Sequence, residues 1–317
     1  MAYNVKEIVA NKKPVFESGH RMCAGCGAPV VGRMIMRALH EGDHAVVANA
    51  TGCMEVSTCI YPYTSWSSSY IHTAFECAAA TCSGVEAAYK SMMAQGKLPK
   101  DEHFKFIAFG GDGGTYDIGL QSLSGAMERR HDMTYVCYDN GAYMNTGIQR
   151  SSATPHFADT TTTPAGTKIP GKMQPRKDLT AVMAAHNLPY IAQTAAFANF
   201  KDLYEKAEKA IYTEGPTFLN VLAPCPRGWG YPTDELMNIN KLAAQTCYWP
   251  MYEVIDGKYH ITYKPAKKLP IEEFLKPQKR FRHMFKEGNE RMIEEFQREV
   301  DRRWQELLDL EEMTNKE

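Results

Sequence analysis

Gly111-Asp112-Gly113 closes one apolar run of this chain, and Asp139-Asn140 closes the next, followed by Ala142-Tyr143-Met144-Asn145-Thr146-Gly147. A Gly-Asp-Gly turn at a strand end, with an Asn delivered by the following strand, supplies what a Mg²⁺-diphosphate clamp requires. Glycines let backbone N–H groups approach phosphate oxygens. The Asp112 carboxylate and the Asn140 side-chain oxygen are hard ligands, and the Ala142 carbonyl offers a third; water and diphosphate oxygens would complete the octahedron. An isolated Gly-Asp-Gly is usually a tight turn and nothing more. Here the arrival of Asn140 one strand later lets the two converge. Asn145 and Thr146 fall close by, where a side-chain amide can hydrogen-bond a substrate oxygen. A loop cap is the plainer role for Asn145.

The cysteines form a second constellation. Cys23-Ala24-Gly25-Cys26-Gly27 is a Cys-x-x-Cys pair in a glycine-rich loop, a weak signal by itself. Cys53 and Cys225 each follow an expected strand. Four thiolates gathered in this way suit a [4Fe–4S] cluster or structural zinc equally, and spacing does not choose between them. Cys77, Cys82 and Cys137 sit among small or apolar residues and read as core. Cys59 and Cys247 have no assigned place.

These groups need elements to hold them. Val30, Val31, Met34, Ile35, Ala38 and Leu39 share a helical face after an irregular lead-in over 1–20. Strands are expected at His44–Ala50, Phe104–Phe109, Met133–Tyr138, Tyr190–Thr194 and Thr217–Leu222. Helices are expected at Ala74–Met93, Ile118–Arg130, Leu179–His186 and Phe200–Tyr212. Such alternation implies a doubly wound α/β fold with a mostly parallel sheet. Ligands then collect outside the carboxyl ends of the strands, where Cys53, Asp112, Asn140 and Cys225 all fall. Residues 1–230 make up this α/β domain. Residues 231–317 form an extension, with a hairpin at Tyr252–Ile261 turning at Asp256-Gly257. An amphipathic helix over 287–317 carries Ile293, Phe296, Val300, Trp304 and Leu308; it packs on its own domain or on a partner subunit.

Composition narrows the class. The 317 residues are 44% hydrophobic and carry a net charge of −1, from 36 basic and 37 acidic side chains. That balance argues against a nucleic-acid or anionic-membrane surface, and no apolar run approaches a membrane span. Met1–Glu7 lacks a secretory core, so the cytoplasm is the expected location, and nine cysteines there are thiols or ligands, not disulfides.

Five separated motifs together carry a resemblance over about residues 15–230: Cys23–Gly27, Asn49-Ala50-Thr51-Gly52-Cys53, Gly110–Gly114, Tyr143–Pro155 and Pro224-Cys225-Pro226. In this order they resemble the β subunits of 2-oxoacid:ferredoxin oxidoreductases, most closely the pyruvate type. The resemblance implies a thiamin-diphosphate-binding fold. It implies one [4Fe–4S] cluster on Cys23, Cys26, Cys53 and Cys225, and Mg²⁺ on Asp112, Asn140 and the backbone of Ala142. It implies a diphosphate cradle of Gly113, Gly114 and Thr146, with Gly52, Gly111 and Thr115 alongside, and Asn145 as the catalytic amide beside the thiazolium ring. The implied reaction is oxidative decarboxylation of a small 2-oxoacid, with electrons passing through the cluster to ferredoxin and coenzyme A usually accepting the acyl group. The Glu that activates thiamin, and the outer clusters, would come from partner chains. The family's larger single-chain members have an acidic residue where this chain has Ala28, which places it nearer the multi-subunit members. Oxalate (giving CO₂ and no acyl-CoA), 2-oxoisovalerate and 2-oxoglutarate are alternative substrates. A zinc-stabilised non-catalytic subunit and a cluster-free decarboxylase are competing readings that explain fewer of the motifs.

Overall fold

The computed structural model describes residues 4–11, 15–99, 103–196 and 198–316. Its frame is one eight-stranded sheet: β1 (His44–Ala50), β2 (Ser69–Thr73), β3 (Phe104–Gly111), β4 (Thr134–Asp139), β5 (Tyr190–Ala195), β6 (Thr217–Leu222), β7 (Met251–Ile255) and β8 (Lys258–Tyr263). The spatial order is β2-β1-β3-β4-β6-β5-β7-β8. The first six strands in that order run parallel; β7 and β8 are antiparallel additions at one edge.

Helices α1 (Val5–Asn11), α2 (Ala28–Met36), α3 (Cys53–Thr58), α4 (Ala78–Ala94), α5 (Leu120–Glu128), α6 (Leu179–Ala184), α7 (Phe200–Tyr212), α8 (Pro226–Trp229), α9 (Leu236–Gln245), α10 (Ile271–Leu275) and α11 (Glu290–Asn315) surround it. Both faces are covered because strand side chains alternate. Ile107, Phe109, Val136 and Tyr138 turn toward α2 and α7, where Val31, Ile35, Leu203 and Ala207 are buried. Ala108, Tyr135 and Cys137 turn toward α4, α5 and α6, with Cys82, Leu123 and Met183. A third apolar cluster joins Trp229, Ile239, Trp249, Phe274, Phe281, Phe296 and Val300 beyond β6.

The parallel α/β architecture expected from the alternation is the one present, and the departures are local. Part of the expected lead-in, 1–3 and 12–14, lies outside the described residues, but Val5–Asn11 is a helix. Strand β2 has no continuous apolar run because it is a half-exposed edge strand. Helix α9 also went unforeseen. The helix expected from Ile118 begins instead as a π-turn over Gly114–Ile118 and continues as α5. The hairpin at 251–263 joins the main sheet through β5, and α11 packs along β8 with Phe296, Val300 and Leu307 buried.

Candidate functional site

Strands β1, β3, β4 and β6 are consecutive neighbours. Their carboxyl ends release Cys53, Asp112, Asn140 and Cys225 side by side, across about 14 Å at the usual strand spacing. Sheet order therefore gathers groups far apart in sequence.

Asp112 is wholly buried. Its Oδ2 accepts from the Ser151 hydroxyl at 2.6 Å, and its Oδ1 from the Asn140 backbone N–H at 3.2 Å. The neighbouring Asp139 has a cation: the Arg176 guanidinium lies 2.6 Å from its Oδ2. Asp112 has none in the described residues. Burial, then the charge of Asp139, pushes its carboxyl well above the usual range, despite the two hydrogen bonds. The Asn140 side-chain oxygen faces Asp112 Oδ1 and the Ala142 carbonyl at 2.9 Å each; with the amide turned over, its nitrogen would donate to both. A separation of 2.9 Å from the Asn140 oxygen to each of the other two is that of neighbouring ligands around an octahedral cation with metal–oxygen bonds of about 2.0–2.1 Å. The donor set thus fits Mg²⁺; without a cation the amide nitrogen belongs in that position.

One pocket collects Gly52, Gly111, Asp112, Gly113, Gly114, Asn140, Ala142, Asn145 and Thr146, which the sequence assigned to one site. Thr115 is not in its lining. Its hydroxyl donates to Gly111 O at 2.7 Å and lies 3.1 Å from Tyr135 Oη, so that side chain holds the strand end and does not face a ligand. Asn145 and Thr146 are exposed at the mouth. Thr51, Phe75, Tyr138 and Tyr143 also line the pocket and were not foreseen. Thr51 Oγ1 meets His72 Nε2 at 2.8 Å, and His72 Nδ1 faces the buried Glu55 carboxylate at 3.5 Å. Ser151 was missed as the partner of Asp112; in a run of Ser and Thr, nothing in the sequence marks which hydroxyl turns inward.

The cysteines converge beside this pocket. Gly27 N–H donates to Pro224 O at 3.0 Å, and a Cβ at Gly27 would lie 2.9 Å from Ala223 backbone atoms. Only glycine lets the Cys23–Cys26 loop rest against the segment carrying Cys225. Gly52 is equally constrained: a Cβ there would lie 2.6 Å from Tyr138 Oη. Cys225 Sγ accepts from Gly228 N–H at 3.3 Å. Burial pushes the Cys26 thiol up to about 12, with further contributions from Cys225, Cys53 and Cys23. Burial likewise pushes Cys53 up to about 12, followed by Cys225 and Cys23. The four thiols therefore lie within electrostatic reach of one another. Among the described residues, no three His, Cys, Asp or Glu are grouped to hold a single metal ion. Four converging thiols are the donor type that a [4Fe–4S] cluster takes. Of the other cysteines, Cys82, Cys137 and Cys247 are buried; Cys59 and Cys77 are partly exposed. A more enclosed cavity of about 150 Å³ lies under α11, between Trp249, Tyr252 and Phe296; it contains none of the expected ligands.

Comparison with known proteins identifies the family. Residues 50–221 match the family described as thiamine pyrophosphate enzyme, C-terminal TPP binding domain. The chain is 52% identical to pyruvate synthase subunit PorB of Thermotoga maritima, covering 99% of this chain and 98% of that one. It is 53% identical to the same subunit of Methanocaldococcus jannaschii, over 89% and 93% of the two chains. Ketoisovalerate oxidoreductase subunit VorB of Pyrococcus furiosus is 43% identical over 94% of each. Among solved structures, a 2-oxoglutarate:ferredoxin oxidoreductase from Magnetococcus marinus matches with a TM-score of 0.56 and 25% identity, covering 68% of this chain and 69% of that one. The chain belongs to the family of β subunits of 2-oxoacid:ferredoxin oxidoreductases, enzymes with a thiamine-pyrophosphate-binding domain whose subunits work together with partner chains.

Proposed function

We propose that this subunit binds thiamin diphosphate and Mg²⁺ in the pocket at the ends of β3 and β4, holds one [4Fe–4S] cluster on Cys23, Cys26, Cys53 and Cys225, and serves the oxidative decarboxylation of pyruvate. The observation that carries the reading is the convergence of Asp112, Asn140 and Ala142 oxygens at 2.9 Å, next to four thiols within electrostatic reach. Identity of 52% and 53% to two pyruvate synthase subunits supports pyruvate as the substrate.

In this reading Asp112, Asn140 and the Ala142 carbonyl hold the metal, and Ser151 orients the Asp112 carboxylate. Gly111, Gly113 and Gly114 let the backbone approach the diphosphate. Asn145 stands at the mouth to orient the substrate oxygen. Bound there, thiamin diphosphate supplies the carbon nucleophile and electron sink for loss of CO₂, and the cluster supplies one-electron acceptance. Coenzyme A is the acyl acceptor and ferredoxin the final electron acceptor, reached through partner chains that also bring the activating Glu.

Iron, acid-labile sulfide and zinc are measured on anaerobically prepared protein beside Cys225→Ala. About four iron and four sulfide per chain, lost in the variant, are expected. Zinc without sulfide would remove the electron-transfer role. Turnover of the assembled enzyme on pyruvate, 2-oxoisovalerate, 2-oxoglutarate and oxalate, with and without coenzyme A, then tests the substrate; faster turnover on any acid other than pyruvate refutes that part.

A further inference from the structure

Lys172 stands in a segment without regular structure, yet it is only 1% exposed. Gly171, at φ +88°, seats it: a Cβ there would lie 2.5 Å from Phe157 O. The Lys172 backbone is fixed to the same stretch. Phe157 N–H donates to Lys172 O at 2.7 Å, and Lys172 N–H donates to Ala158 O at 3.2 Å. Inside, the ammonium donates to three carbonyls: Thr154 O at 2.6 Å, Ser152 O at 3.2 Å and Pro175 O at 3.3 Å. Its three donors thus meet three carbonyl acceptors.

The loop that Lys172 grips is the one braced against the metal-binding oxygens proposed above. At one end, Ser151 Oγ donates to Asp112 Oδ2 at 2.6 Å. At the other, Thr154 Oγ1 donates at 2.7 Å to Gly141 O, between Asn140 and Ala142. Within the loop, Ser151 N–H donates to Thr154 Oγ1 at 2.9 Å. The neighbours of Lys172 complete the grip. Arg176 Nη1 donates to Ala153 O at 3.2 Å, and Lys177 N–H donates to Ser152 O at 2.9 Å. Each carbonyl from Ser152 to Thr154 is therefore taken by a donor of the segment 172–177.

An ammonium is costly to bury. An apolar side chain of the same length would fill this space without that cost, so what the charge adds is direction: donors aimed at fixed carbonyls. We propose that Lys172 is a positioning residue for the metal–diphosphate site. Its ammonium fixes the Ser151–Thr154 loop, and through it the Asp112 carboxylate and the Asn140–Ala142 stretch. The inference rests on the reading that thiamin diphosphate and Mg²⁺ bind in this pocket. Burial, then Arg176 and Arg150, lowers the Lys172 pKa to about 8, while Asp117 and Glu299 act in the opposite sense. The other titratable groups around the segment are His156, 3.5 Å from Glu299, Lys177, 4.0 Å from Asp117, and His283, 3.2 Å from Pro170 O. The grip is therefore present below about pH 8. It weakens above, as the ammonium becomes a neutral amine with two donors.

The test compares the assembled enzyme as wild type and as Lys172→Met, which keeps the length and removes the charge. Thiamin diphosphate is titrated by fluorescence with excess Mg²⁺ at about pH 7, 8 and 9, bracketing the lysine. Amide hydrogen exchange over 149–155 is followed by mass spectrometry with both cofactors withheld. At pH 7 the variant should bind about 10–100-fold more weakly, the usual effect of losing a group that orients a metal ligand. Its 149–155 segment should exchange faster, with iron content unchanged. Wild-type affinity should fall severalfold as the pH rises through about 8, while that of the variant stays level. Equal affinity in the two proteins, unchanged exchange, or pH profiles of the same slope overturns the role of Lys172. If the variant does not assemble, the wild type decides alone: a level pH profile overturns the proposal, and a fall accompanied by faster exchange, corrected for intrinsic rates, supports it. A wild type that binds no thiamin diphosphate at any pH sinks the reading of the pocket itself, and the role of Lys172 with it.

Discussion

Two buried carboxylates, Asp112 and Asp139, sit near each other at neighbouring strand ends and meet opposite environments. Asp139 is paired with Arg176 and accepts Gly141 N–H at 3.0 Å. Asp112 has hydrogen bonds but no cation among the described residues, and burial disfavours its charge. Such an arrangement is costly unless a cation completes it, which ties the strain at Asp112 to binding. Ser151 is the direct test. Groups that orient a metal ligand typically change affinity about 10–100-fold when removed, so Ser151→Ala should weaken Mg²⁺-dependent thiamin diphosphate binding by that factor in a fluorescence titration. Asp112→Asn should cost more, at least about 100-fold by the same scale. Unchanged affinity in both would remove Asp112 from the metal site.

At the scale of elements, α4 is tied to the start of β4 by Glu86, which is 1% exposed. Its carboxylate meets Lys90, receives His131 Nδ1 at 2.8 Å, and accepts Asp132 N–H at 3.3 Å. Burial alone would raise its pKa; the hydrogen bonds from Lys90, His131 and Asp132 outweigh it, and the net shift is downward. A depressed folded-state pKa contributes stability that is present above the unfolded value, about 4.3, and is lost as pH falls through the folded value. Glu86→Gln should therefore lower the melting temperature at pH 7, and the gap to wild type should close as the pH drops below about 4. A gap independent of pH would show that charge is not the cause.

Helix α11 shows how an end segment acquires its role. Phe296 and Val300 enter the third apolar cluster, Leu307 reaches the second, and Glu311 accepts Ile261 N–H at 2.6 Å on the edge strand β8. Phe296→Ala should cost about 3–5 kcal/mol, measured by denaturant unfolding. Truncation at Glu287 should then destabilise the fold itself; a truncated chain with unchanged stability but weakened assembly would make α11 a partner contact instead.

For the whole molecule, the site lies at the carboxyl ends of the interior strands, with Asn145, Thr146 and Cys23 exposed. The chain belongs to a family of subunits, and the function proposed above takes the Glu that activates thiamin from a partner chain. The isolated chain loaded with thiamin diphosphate and Mg²⁺ should decarboxylate 2-oxoacid slowly. Adding the partner chains should raise the rate by about 10²–10⁴-fold, the usual contribution of a positioned acid or base. Full activity in the isolated chain would mean that the activating group is here after all. No helix among the described residues is long and apolar enough to cross a membrane.

What the sequence determined by itself was local and periodic. The alternation of apolar runs and helical faces gave the parallel α/β frame, because strand and helix periods are properties of the chain. The Gly-Asp-Gly turn and the strand-end Asn140 gave the pocket, because strand ends carry ligands in this architecture. Tertiary structure decided the rest. Only the order β1-β3-β4-β6 brings Cys53, Asp112, Asn140 and Cys225 together, and strand order is not a local property. Only packing turned the Ser151 hydroxyl onto Asp112 and the Thr115 hydroxyl away from the pocket. The half-exposed strand β2 and the burial of Lys172 left no pattern in sequence, because long-range contacts and not spacing create them.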